Sequence, residues 1–134
     1  MYTTLHDTLR AALIEAGAPD DRLGDFDQHS TIALELGDAG TILLSHDNDR
    51  LWAWSQIGWL RAPDIERHAA AILARLQDPM PGCVTGQAVF GKRNDVYEIK
   101  LLLEGECARS PQKLYEALDA FFALLIALHE TVSV

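Results

Sequence analysis

Three features of the 134-residue sequence predict an α+β domain built on an antiparallel sheet. Short alternating runs are joined by turns too brief to hold a crossover helix. Stretches with apolar residues at helical spacing stand before, between and after those runs. The resulting order is helix, three strands, helix, two strands, helix. A chain of this length forms most simply one domain over residues 1–134, burying roughly two-thirds of the surface it exposes when unfolded. Neither a disulfide nor a metal is needed for stability.

The elements follow in order. Thr4-Leu5-His6-Asp7 reads as a capping box, and Leu5, Leu9, Ala12, Leu13 and Ala16 form one helical stripe before Gly17 ends it. "APDDRLGDFDQ" is a loop by its Pro, Gly and Asp content. "STIALEL" (Ser30 to Leu36) alternates, with Ile32, Leu34 and Leu36 on one face. The turns "GDAG" and "DNDR" then divide "TILLSHD" from its neighbours, so that "LWAWSQI" closes a meander. Pro63 opens a second helix that runs to about Gln77, with Ile65, Ala69, Ile72, Leu73 and Leu76 expected inward and "DPMPG" as its stop. A second hairpin is expected from "VTGQAVF", the turn "GKRND" and "VYEIKLLLE". Its last strand sets Tyr97, Ile99, Leu101 and Leu103 against a wet face of Glu98, Lys100 and Glu104. Ser110 caps a final helix with Pro111 in its first turn. Leu114, Leu118, Phe121, Phe122, Leu125 and Leu128 make this the most apolar element.

The first hairpin raises the functional question. With Asn48-Asp49 as a two-residue turn, Ser45 pairs with Trp52, Leu44 with Ala53 and Leu43 with Trp54. One face then gathers Ile42, Leu44, Leu51 and Ala53, suited to lie under helices. The other gathers Leu43, Trp52 and Trp54. Three readings follow. A helix of the same chain covers the tryptophans, or a longer loop slips the register by one residue and turns them to the other face, or a partner covers them, since large exposed apolar patches mark interaction sites and tryptophan is enriched among hot spots.

Charge and motifs exclude several classes. The net charge is −9, and residues 1–49 carry ten acids against two bases. A basic footprint for nucleic acid is absent, and the acidic half suits a basic or neutral partner. The start lacks a basic and apolar leader, and "AFFALLIAL" is far short of the ~20 residues of a spanning helix. No membrane insertion is expected. Cys83 and Cys107 lie far apart, which reads as reduced thiols in a cytoplasmic protein. "GQAVFGKR" satisfies the first part of a phosphate-binding GxxxxGK but ends on Arg93 where a hydroxyl must reach magnesium. His6, His29, His46, His68 and His129 are scattered without metal-ligand spacing. His29 and Ser30 are adjacent on a strand, so they point apart and make no catalytic dyad. No cofactor and no catalytic residue are expected.

"LGDFDQHSTIALEL" (Leu23 to Leu36), followed by "NDRLWAWSQIG" (Asn48 to Gly58), resembles the type III secretion chaperones of the invasion protein B kind. This is the multi-effector class I group, also called the surface-presentation-of-antigens protein K family. Length, acidity and element order agree over most of the chain. After Pro79 the agreement lies in the hairpin-and-helix pattern more than in residues. The resemblance implies a homodimer in the bacterial cytoplasm, without enzymatic activity, that takes part in virulence. It would hold a non-globular segment near the N-terminus of a secreted effector in extended form, soluble and fit for export. Docking at the export ATPase stays open. So does a rival reading, a protein-binding adaptor of the same shape outside secretion.

In the resembling family the dimer contact involves the second helix and the strands beside it. This implies Ile65, Ile72 and Leu76 near the axis, although all three also suit a core. Effector contact falls to Leu43, Trp52 and Trp54, with any exposed part of the Leu5, Leu9, Leu13 stripe. An extended peptide would give main-chain bonds to a sheet edge and alternate side chains to apolar pockets.

Overall fold

The computed structural model describes residues 5–15, 31–35 and 37–133. Within them the order is α1 (Leu5–Glu15), β1 (Ile32–Glu35), β2 (Thr41–Asp47), β3 (Arg50–Gln56), α2 (Ala62–Leu76), β4 (Val89–Arg93), β5 (Val96–Leu103) and α3 (Pro111–Val132). Short 3-10 helices at Gly37–Ala39 and Gly105–Ala108 precede β2 and α3. This is the expected α+β order. The Thr4 end of the first helical cap, Ala16, Gly17, the loop after them, His29, Ser30 and Leu36 lie outside the described residues.

The five strands form one antiparallel sheet in the order β1-β2-β3-β5-β4. The chain leaves β3, crosses through α2, and returns so that β5 inserts beside β3 while β4 takes the edge. Both hairpins turn on two residues with positive φ. Asn48 and Asp49 stand at 50° and 61°, and Asn94 and Asp95 at 51° and 65°. Asn and Asp tolerate this left-handed conformation better than other side chains, and its twist matches that of the strands. The second turn is therefore tighter than the five residues expected, and Lys92 and Arg93 belong to β4. Residues 84–88 form turns instead of strand, with Cys83 and Leu103 joined in an isolated bridge.

The core lies between one sheet face and the helices. Ile32, Ile42, Leu44, Leu51, Ala53, Ile57, Ile99, Leu101 and Leu103 are buried on the sheet side. Leu9, Ala12, Leu114, Ala117, Leu118, Phe121, Leu124, Leu125 and Leu128 are buried on the helix side. Fully burying a side chain of this size is worth roughly 1.5–3 kcal/mol, so α3, with seven buried residues, is the main cover. Its start is capped as expected: the Lys113 N–H donates to Ser110 Oγ at 3.3 Å. Phe122 is only partly buried, and Leu124 takes the core place instead. α1 is tied down where the Thr8 hydroxyl donates to the Ala108 carbonyl at 2.6 Å.

α2 departs from expectation. It starts one residue earlier, at Ala62, where the Arg61 N–H donates to the Asp64 carboxylate at 3.0 Å. Of its apolar residues only Ile72 is buried, while Ile65 and Leu76 are partly buried against the core. Ala69 is exposed, and Leu73 is 59% exposed, so neither points inward. The helix touches the core along a narrow stripe because α3 already fills the centre.

Candidate protein-binding face

Register decides which side of the sheet is free. Leu43 pairs with Trp54, Ser45 with Trp52 and Leu44 with Ala53, as the two-residue turn predicts. Leu51, Ala53, Ser55 and Ile57 are therefore buried beneath the helices. Trp52 and Trp54 project from the opposite side and stay partly buried. No described helix covers them.

The tertiary structure widens this face. Through the β3–β5 ladder, Trp52 stands opposite Leu102 and Trp54 opposite Lys100, which in turn faces Val89 on the edge strand. On the other side Leu43 faces Ala33 of β1. One row thus runs Ala33, Leu43, Trp54, Lys100, Val89 across the sheet, with Ser45, Trp52 and Leu102 in the next. Trp54 Nε1–H donates to Ser45 Oγ at 3.0 Å, which fixes the tilt of that ring. Ser45 Oγ lies 3.2 Å from the Thr31 hydroxyl. The Lys100 ammonium stands 5.6 Å from the centre of the Trp52 ring, within cation–π range.

Glu98 corrects the expectation of a wet face on β5. It is 4% exposed, although it lies on the side without helices. Its Oε1 is 3.5 Å from Arg93 Nε and 3.7 Å from Lys100 Nζ. Two cations thus cover one carboxylate. Ser45, Asp47, Trp52, Trp54, Arg93, Glu98 and Lys100 together line an open cavity of about 370 Å³.

The remaining candidates occupy other places. Leu9 is fully buried between α1 and the core and has no surface to offer a partner, because helical spacing directs that stripe inward. Leu5 and Leu13 are partly buried against the same core. Ile72, at 4% exposed, likewise belongs to the interior. The side of α2 facing away carries Ala69, Ala70, Leu73 and Ala74. Sequence reasoning missed Leu102, Val89, Arg93 and the buried role of Glu98, since β5 reaches β3 only through a long connection.

Among the described residues no group of three or more His, Cys, Asp or Glu stands together as metal ligands. Lys92 and Arg93 of the GxxxxGK match lie on β4, ahead of a hairpin turn instead of a helix. Burial pushes the Cys107 thiol above its ordinary 9.0, and the Glu104 carboxylate adds to the shift, so the group is a poor nucleophile at neutral pH. No described helix is long and apolar enough to cross a membrane.

The sequence matches the family model of the invasion protein B family over residues 17–94, more than half of the chain. The chain belongs to the invasion protein B family. The matched region contains the tryptophan hairpin and the whole of α2. Two curated relatives carry the name surface presentation of antigens protein SpaK, one from Salmonella typhimurium and one from Salmonella typhi. Each is 28% identical over 124 residues, which is 92% of this chain and 92% of the relative. The invasion protein B family assignment agrees with the resemblance carried by Leu23–Leu36 and Asn48–Gly58.

Proposed function

We propose that the protein is a type III secretion chaperone. It binds a non-globular N-terminal region of secreted effectors and holds it soluble and ready for export, with no chemistry of its own. The observation that carries this reading is the sheet face of Leu43, Trp52, Trp54 and Leu102, left uncovered by the described helices. Membership of the invasion protein B family supports it. An extended segment suits such a face because its alternate side chains enter apolar subsites while its backbone stays hydrogen-bonded to water or a strand edge. Ordering the segment costs a few kcal/mol, which apolar contact must offset. The net charge of −9 steers segments rich in Lys and Arg and keeps the loaded complex in solution. The working form is a cytoplasmic homodimer whose contact includes α2, and the export ATPase is a further partner to test.

Co-expression with the secreted effectors of the source bacterium tests the proposal. One dimer should retain one effector segment that is protease-sensitive when alone. Replacing both Trp52 and Trp54 by Ala should weaken retention at least about tenfold, the scale of a lost hot-spot pair, with the circular dichroism spectrum unchanged. Absence of any stable effector complex would leave an adaptor outside secretion as the better reading. Collapse of the spectrum in the double variant would return the indoles to a structural role.

A further inference from the structure

The register places six charged strand residues on the free sheet face: Glu35, Asp47, Arg50, Arg93, Glu98 and Lys100. Asp47 stands opposite Arg50 and Arg93 meets Glu98, so each of these pairs cancels locally. Lys100 is left over, in the middle of the face. It stands opposite Trp54, and its ammonium is 5.6 Å from the centre of the Trp52 ring. Glu98 Oε1 is 3.7 Å from that ammonium, past hydrogen-bond length, and is shared with Arg93. The three N–H donors of Lys100 therefore keep room for another acceptor. Glu35 lies three strands away on β1, about 14 Å at the usual strand spacing and beyond the ~8 Å screening length at physiological salt. Lys100 lines the same open cavity as both indoles, and its side chain is 31% exposed. Beside two aromatic rings and largely out of water, a unit charge acts more strongly on a ligand than one on the open surface.

We propose that Lys100 selects the client residue at the centre of this face: an acidic side chain, flanked two residues away on each side by apolar side chains that rest on the surrounding indoles, Leu43 and Leu102. The inference rests on the sheet face being the client site. It is separate from the long-range field. A net charge of −9 draws in a segment that is basic overall, whereas Lys100 picks one carboxylate within it at contact range. A client lysine at that point would meet Lys100 as a like charge.

The test uses three capped seven-residue peptides with serine at the odd positions and leucine at the second and sixth. The fourth position is Glu, Gln or Lys, so that the first two differ in charge and hardly in shape. Each is titrated into the full chain while the indole N–H resonances of Trp52 and Trp54 are followed. The Glu peptide should bind about threefold to fivefold tighter than the Gln peptide, the upper range for one exposed ion pair, and the Lys peptide should bind weakest. That preference should fade at about 1 M salt, where charges are screened within about 3 Å. Lys100→Met, which keeps the stem and removes the charge, should bring the Glu peptide down to the Gln peptide. Lys100→Glu should move the preference to the Lys peptide, so that misfolding of one variant leaves the other to decide. If the Glu and Gln peptides bind the unaltered protein equally, or the Lys peptide binds it tightest, the role of Lys100 is wrong and the face survives as a site. If no peptide shifts either indole, or the resonances move with protein concentration alone because a second copy takes the face, the client site itself is wrong and the inference falls with it.

Discussion

Ser55 and Trp54 sit one residue apart on β3 and meet opposite environments. The Trp54 ring is on the free face and its N–H has a partner, whereas the Ser55 hydroxyl is buried with no hydrogen-bond partner among the described residues. A buried hydroxyl left unpaired costs free energy that an apolar side chain of similar size avoids. Ser55→Ala should therefore raise stability by about 1 kcal/mol, read as a higher urea midpoint at unchanged slope. An unchanged or lower midpoint would show that the hydroxyl is satisfied. Glu98 illustrates the opposite solution, a carboxylate taken out of water but held by two cations. Its burial comes from long side chains folding over it, and strand alternation alone predicts an exposed residue there.

At the scale of elements, the first hairpin was the most legible part of the chain, whereas the second turned on two residues instead of five and its first strand began only at Val89. Asn48-Asp49 sets the β2–β3 register, and a slip of one residue would have sent both tryptophans into the core. Asp at the second turn position holds a positive φ of 61°, a conformation that glycine adopts without cost. Asp49→Gly should thus stabilise the hairpin by about 0.5–1 kcal/mol, measured by thermal or urea unfolding. A loss of stability would mean that the Asp49 carboxylate makes a local contact worth more than the strain. The second helix was less legible. Apolar periodicity placed Leu73 and Ala69 inward, but periodicity finds an apolar stripe without saying whether the protomer or a partner covers it.

At the scale of the whole molecule that ambiguity becomes a test of association. Ile72 and Leu73 are neighbours on α2 with opposite fates, 4% and 59% exposed. Ile72→Asp should unfold the protomer, because an unpaired charge in the core costs several kcal/mol. Leu73→Asp should leave folding within about 0.5 kcal/mol of the parent and, if the proposed homodimer forms through this side of α2, shift its sedimentation profile toward monomer. A Leu73→Asp protein that remains dimeric would place the contact on another surface. The uneven charge belongs to this scale too. Ten of the twenty acids fall within the first 49 residues, a bias that governs solubility and steering and leaves the fold unaffected.

The sequence by itself determined the α+β order, the two-residue first turn, the capped final helix and the opposite facing of Leu51 and Trp52. Those features depend on neighbours a few residues apart, through periodicity, turn chemistry and caps. Only the tertiary structure decided that β5 inserts beside β3, and hence that Leu102, Lys100 and Glu98 join the tryptophans. It also decided that Leu9 and Ile72 are interior while Leu73 is not. Such outcomes follow from packing between segments far apart in the chain, where burial depends on what else competes for the same space, and no local pattern encodes that competition.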